Sequence, residues 1–134
     1  MTVYADASAI LKLHLTESDS AQARGFLEGQ GWASGRHSYV EVRRNLARLL
    51  TGVQLDQARA SFVRGWAYVE VVDLSEAVAE RSATLAEETG VRALDALHLG
   101  AAAAAGADAG LPVVTFDRRL ANAARSLGWT VLGA

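Results

Sequence analysis

"TVYADASAILKL", Thr2 to Leu13, is the stretch that decides the fold. A short apolar run, "TVYA", ends on Asp6, and from Ser8 the apolar spacing turns helical. A strand that passes straight into a helix, with an acid at the junction, is a building unit of an open α/β sheet. The arrangement recurs near the end of the chain, where the strand-like "LPVVTF" (111–116) leads through Asp117 into the helical "RRLANAARSLG", closed by Gly128. Between them lie two further strand-like pieces, "GWASG" (31–35) and "VEVVDL" (69–74). Helices are expected over 21–27, from Ser38 to Leu50, over roughly 55–68 and over 75–89, where Gly90 supplies a stop. In the helix from Ser38, Val42, Leu46, Leu49 and Leu50 share the apolar side. One more helix carries Asp95, and "WTVL" (129–132) reads as a last strand. Apolar strands alternating with helices, without hairpin turns, imply an α/β sandwich: a mainly parallel central sheet flanked by helices.

The chain has 134 residues, of which 51% are hydrophobic, enough for one well-buried domain spanning 1–134 and too few for two. Pro112 is the only proline, and no Gly, Ser or Pro run makes a linker. Cysteine is absent, which excludes disulfides, zinc–thiolate sites and thiol nucleophiles. The net charge is -2 and Lys12 is the only lysine, so a local arginine patch is expected rather than a polycation that coats nucleic acid. The N-terminal stretch has an acid at Asp6 and no basic leader, and "GAAAAAGADAG" (100–110) is too short and too polar at Asp108 to span a bilayer. A cytoplasmic protein with no membrane partner is the expectation.

Four acids are the candidates for chemistry. In an open parallel sheet, ligands bind outside the carboxyl ends of the strands. If the first strand and the "VVTF" strand are neighbours, Asp6 and Asp117 stand side by side there. Taken singly, each also fits a helix N-cap, worth ~1 kcal/mol. Glu41, three residues after Ser38, fits the capping-box pattern. Asp95 lies in "RALDALHL" (92–99) among the core-type Leu94, Leu97 and Leu99, with neither a cap position nor a polar face to explain it. An ion pair with Arg92 or His98 is one explanation. His98 itself reads as a satisfied histidine rather than a zinc ligand, since cysteine and a second well-spaced histidine are lacking. Carboxylates drawn together repel one another unless a cation compensates. Oxygen-only ligands suit a hard ion, Mg²⁺ or Mn²⁺, and such an ion activates water for phosphodiester hydrolysis.

Taken in order, "YADASAILKL", "SYVEVRRNL", "RALDALHLGAA" and "VVTFDRRLANAA" resemble the motifs of PIN-domain proteins, more narrowly the VapC-type ribonuclease toxins of bacterial toxin–antitoxin pairs. The resemblance covers nearly the whole chain and implies a PIN-like sandwich. It implies that Asp6, Glu41, Asp95 and Asp117 hold one or two Mg²⁺ or Mn²⁺ ions and orient the attacking water, with Ser8 and Thr115 as supporting hydroxyls. It further implies cleavage of single-stranded or looped RNA to a 5′-phosphate and a 3′-hydroxyl, a homodimer, and a small VapB-type antitoxin that covers the active site.

Arg36, His37, Arg43, Arg44 and Arg48 gather around Glu41, and Arg118 and Arg119 follow Asp117. Arg44, Arg118 and Arg119 are candidate contacts for RNA phosphates; a solvated helix face is the ordinary alternative. Of Trp32, Trp66 and Trp129, at least two read as core rather than as platforms for bases. Three other functions compete. A phosphoacceptor receiver domain would need a late-strand lysine, and Lys12 is in the first helix. A non-enzymatic module of the same fold would keep the acids as caps and ion pairs. A related nuclease acting on DNA would present much the same phosphodiester site.

Overall fold

The computed structural model describes residues 2–134. Five strands, β1 Val3–Ala5, β2 Trp32–Gly35, β3 Glu70–Val72, β4 Val113–Thr115 and β5 Val131–Gly133, form one sheet in the order β3-β2-β1-β4-β5. Every pairing is parallel. The sheet is thus wholly rather than mainly parallel, because each connection passes through at least one helix and none is a hairpin. The helices are α1 Ala7–Lys12, α2 Ser20–Leu27, α3 His37–Leu49, α4 Gly52–Trp66, α5 Glu76–Thr89, α6 Ala93–Ala105 and α7 Arg118–Ser126, with a 3-10 turn at Ala107–Ala109. Gly90 ends α5 in the left-handed region, at φ 73°, as its position after Thr89 predicts.

The strand order places the functional edge. From β1 the chain winds outward through β2 to β3, then crosses over to β4 on the other side of β1 and continues to β5. The winding direction reverses between β1 and β4, the crevice where open parallel sheets bind ligands. Tyr4 pairs with Val113 and Ala5 with Val114, so Asp6 and Asp117 emerge from adjacent strands.

Strand residues alternate between two cores. Tyr4 and Val113 face a core with Leu85, Leu99, Leu120 and Trp129. Val3, Ala5 and Val114 face the other, with Ile10, Leu27, Val42, Leu46 and Phe62. Each large aliphatic side chain buried this way contributes ~1.5–3 kcal/mol. Trp32 and Trp66 pack against the second core, so all three tryptophans are structural. On the first side α5 and α6 pack closely: a Cβ on Gly100 would lie 1.9 Å from Ser82 Oγ.

Two expected core residues are outside it. Leu94 is 52% exposed in the first turn of α6, before that helix meets the sheet, and Leu49 is 47% exposed at the last turn of α3. Leu50, just past the helix end, is half-buried; Val42 and Leu46 alone form the fully buried stripe. No helix among the described residues is long and apolar enough to cross a membrane.

Candidate active site

Asp6 caps α1 from the end of β1 and is 3% exposed. Its Oδ1 accepts from the Ala9 amide at 2.9 Å and the Ser8 hydroxyl at 2.7 Å. Its Oδ2 accepts from the Thr115 hydroxyl at 2.6 Å, across the β1–β4 crevice. Both hydroxyls also accept: Ser8 Oγ from the Phe116 amide at 2.9 Å, Thr115 Oγ1 from the Asp117 amide at 3.0 Å. Ser8 and Thr115 therefore tie the two strand ends together around one carboxylate. Burial pushes the Asp6 carboxyl above its usual range, opposed by His98 and by these hydrogen bonds. Asp117 caps α7, its Oδ1 accepting from the Arg119 and Leu120 amides at 2.9 and 3.3 Å. Both aspartates are caps, and the same caps aim them at one edge.

Asp95 is half-buried in the first turn of α6. The ion pair with Arg92 or His98 does not form, and among the described residues its carboxylate has no salt bridge. Arg92 precedes the helix with its side chain exposed, and His98 turns to Glu41 instead. Burial raises the Asp95 carboxyl first, then the charges of Asp117, Asp6 and Glu41, with His98 opposing. The four acids thus share one electrostatic field, and no Lys or Arg among the described residues is paired with any of them.

The capping box at Ser38 is not built. α3 starts at His37 after Arg36, whose side chain makes no cap, and Ser38 Oγ lies 2.7 Å from Ser34 Oγ, to which it donates because the Ser34 hydroxyl is given to the Ala5 carbonyl. Glu41 is therefore free to reach across to α6. Its Oε1 lies 2.9 Å from His98 Nε2, and His98 Nδ1 lies 2.8 Å from the hydroxyl of Tyr4. The Tyr4 oxygen accepts from the Gly35 amide at 3.0 Å. Burial pushes the Tyr4 hydroxyl well above its usual range, so it keeps its proton. That proton is donated to His98 Nδ1, which leaves the His98 proton on Nε2 to be donated to Glu41. A buried relay thus fixes Glu41 at the rim of the acidic edge. Tyr4 was not legible as a site residue, although a lone phenol in an otherwise aliphatic strand, and a lone histidine in an apolar helix, each demand a partner when buried.

His37 stands next to this relay. Its ring lies against Gly35, where an added Cβ would come 2.5 Å from Cε1. Burial, then His98, pushes its pKa down to about 4 despite Glu41. His37 Nε2 is buried without a hydrogen-bond partner, 3.7 Å from Glu41 Oε1.

Of the arginines, Arg36 is held by Asp73 at 2.7 Å, Arg43 lies over the Tyr39 ring, and Arg44, Arg118 and Arg119 are exposed. Arg119 joins Arg92, Asp95 and Asn122 in lining an open cleft of about 520 Å³ beside the acidic edge.

Asp6, Asp95 and Asp117 offer oxygen donors of the kind that suit a hard divalent cation keeping part of its water shell, and their charges act on one another. Glu41 adds a fourth carboxylate with one oxygen already committed to His98.

Comparison with known proteins identifies the family and the fold. The PIN domain family model matches residues 3–126. Ribonuclease VapC49 of Mycobacterium tuberculosis is 38% identical over 138 aligned positions, covering 98% of this chain and 95% of the relative. The solved structure of Mycobacterium tuberculosis VapC20, a toxin that cleaves the sarcin–ricin loop, superposes with a TM-score of 0.74 at 16% identity, covering 98% of this chain and 99% of that one. VapBC-5 from the same organism, of a toxin–antitoxin family, gives a TM-score of 0.66 at 20% identity, with 98% of each chain covered. On the family match and the identity to its ribonuclease relatives, the chain belongs to the PIN-domain family, on its VapC branch.

Proposed function

We propose that this chain is a metal-dependent endoribonuclease, the toxin of a toxin–antitoxin pair, acting in the cytoplasm. The observation that carries the reading is the acidic edge itself: Asp6 and Asp117 locked together by Ser8 and Thr115 at the switch point, with Asp95 raised by burial and by their charge and no lysine or arginine among the described residues paired with it. The ribonuclease names of its sequence relatives support RNA as the substrate.

In this reading Asp6, Asp95 and Asp117 hold Mg²⁺ or Mn²⁺. When bound, the ion lowers the pKa of a coordinated water and offsets charge developing on the phosphoryl group. The chain's own residues do the rest. Ser8 and Thr115 donate to both oxygens of Asp6, which holds the carboxylate in place and favours its ionised form against the upward push of burial. Glu41, fixed through His98 and Tyr4, orients the attacking water and accepts its proton on the oxygen His98 leaves free. Arg44, Arg118 and Arg119 meet phosphates on either side, since a guanidinium binds two oxygens at once. The partners are an RNA substrate, a VapB-type antitoxin and a second copy of the chain in a homodimer. The toxin–antitoxin description of solved neighbours supports the antitoxin.

The test is inducible expression in a bacterium, wild type beside Asp95→Asn, with growth recorded and RNA 5′-phosphate ends mapped across the transcriptome. New ends at few sites, with the wild type alone, are expected. Two soluble proteins that neither arrest growth nor make ends would leave a non-enzymatic module of the same fold.

A further inference from the structure

Among the described residues, one group of three potential metal ligands has all its donor atoms within 4.8 Å of one another, and it is not the acidic set. It is His37 Nε2, Glu41 Oε1 and His98 Nε2. We infer that these three residues form a second cation site, selective for a borderline transition-metal ion such as Zn²⁺, which shares Glu41 with the acidic edge.

Spacing supplies the first argument. His37 and Glu41 are four residues apart on α3, hence on one face, and His98 comes from α6 to meet them. Glu41 Oε1 is 2.9 Å from one imidazole nitrogen and 3.7 Å from the other, and the two rings lie 4.2 Å apart between centroids. Zinc bonds of about 2.0–2.1 Å in a tetrahedral site put neighbouring donors roughly 3.3 Å apart, between those two separations.

Chemistry supplies the second. Two imidazoles and one carboxylate suit Zn²⁺, Co²⁺ or Ni²⁺, whereas Mg²⁺ prefers oxygen donors and water. His37 Nε2 is buried with no hydrogen-bond partner, a cost that a metal bond removes. His98 is already oriented by Tyr4 at its other nitrogen, the outer contact that metal-bound histidines require. With the ion on Nε2, the His98 proton moves to Nδ1 and is donated to the Tyr4 oxygen, while the Tyr4 hydroxyl proton turns away from Nδ1 toward Ser34 Oγ. Gly35 gives the His37 ring the room to lie in this position.

The consequence for catalysis rests on the nuclease reading, although the site does not. Zn²⁺ on Oε1 would draw charge from the carboxylate whose other oxygen serves the acidic edge, so it is expected to weaken Glu41 as a base and to lower Mg²⁺-dependent cleavage.

The chain has three histidines, so imidazole nitrogens are simple to assign. The full-length, metal-free protein, ¹⁵N-labelled, is titrated with Zn²⁺ alone while the imidazole ¹⁵N resonances are followed. Nε2 of His37 and of His98 are expected to shift in one 1:1 step while His14 stays put. His37→Gln should weaken Zn²⁺ by about tenfold or more. Asp117→Asn should bind Zn²⁺ as the wild type does. If neither imidazole responds, if His37→Gln binds normally, or if Asp117→Asn abolishes binding, the site is overturned, whether or not the chain cuts RNA. If the shifts occur in a chain that cleaves nothing, this site stands and the nuclease reading of the acidic edge falls.

Discussion

Replacing Tyr4 by Phe isolates the relay behind Glu41. The ring is fully buried in the first core, so the substitution keeps its packing and removes one oxygen. That oxygen accepts from the Gly35 amide at 3.0 Å and donates to His98 Nδ1 at 2.8 Å, and water cannot reach either partner once it is gone. A buried donor or acceptor left unsatisfied costs about 1–3 kcal/mol, so two of them cost about 2–6 kcal/mol. At about 2.1 cal/mol/K per residue, the entropy of unfolding of a 134-residue domain is ~0.28 kcal/mol/K, and a 3 kcal/mol loss lowers Tm by roughly 10 °C. Urea and thermal unfolding measure this, with the m-value unchanged. Tyr68→Phe, at a side chain 89% exposed, is the control and should change nothing measurable. Cleavage of RNA, assayed well below the variant's Tm, should also fall, because His98 no longer has a fixed tautomer to present to Glu41. A loss of stability under about 0.5 kcal/mol with full nuclease activity would refute the relay, since an unsatisfied buried pair cannot cost so little.

Asp95→Asn removes one charge from four crowded carboxylates. It should stabilise the metal-free protein by ~0.5–2 kcal/mol, while shrinking the stabilisation by Mn²⁺, which for the wild type is ~2.7 kcal/mol at a hundred times Kd; thermal shift with and without Mn²⁺ measures both. Gly100→Ala forces a methyl onto Ser82 Oγ and should cost ~1–3 kcal/mol, with Ser82→Ala in the same chain recovering part of it by denaturant unfolding. His14 has its pKa lowered by burial and by Arg24, so the folded state prefers it neutral. Its stabilising share is complete above the unfolded value near 6.5 and declines as pH falls below that. Unfolding free energies of wild type and His14→Gln from pH 7.5 to 5 should therefore converge as pH falls; parallel curves would refute the assignment. Neutralising Arg44 or Arg118 should flatten the slope of log affinity for single-stranded RNA against log salt by ~0.7 per lost phosphate contact; an unchanged slope removes that residue from the interface.

What the sequence determined is local. Asp6 and Asp117 were legible because a strand, an acid and a helix in succession obey short-range rules, in which the same carboxylate that caps the helix is carried to the strand's end. The parallel sheet was legible because its strands are apolar throughout and each is followed by helix. Asp95 was legible by its misfit among leucines, though Leu94 proved to be exposed. Tertiary structure decided the rest. Ser38 and Glu41 spell a capping box, but the N-cap is Arg36, two residues earlier, and Glu41 finds its partner 57 positions away. Tyr4 and His98 are 94 positions apart and meet only because β1 lies at the centre of the sheet, with α6 packed over that face. A cap depends on neighbours three residues away, which the sequence displays. A buried hydrogen bond between elements depends on strand order and crossovers, which set the distance between residues that no local pattern relates.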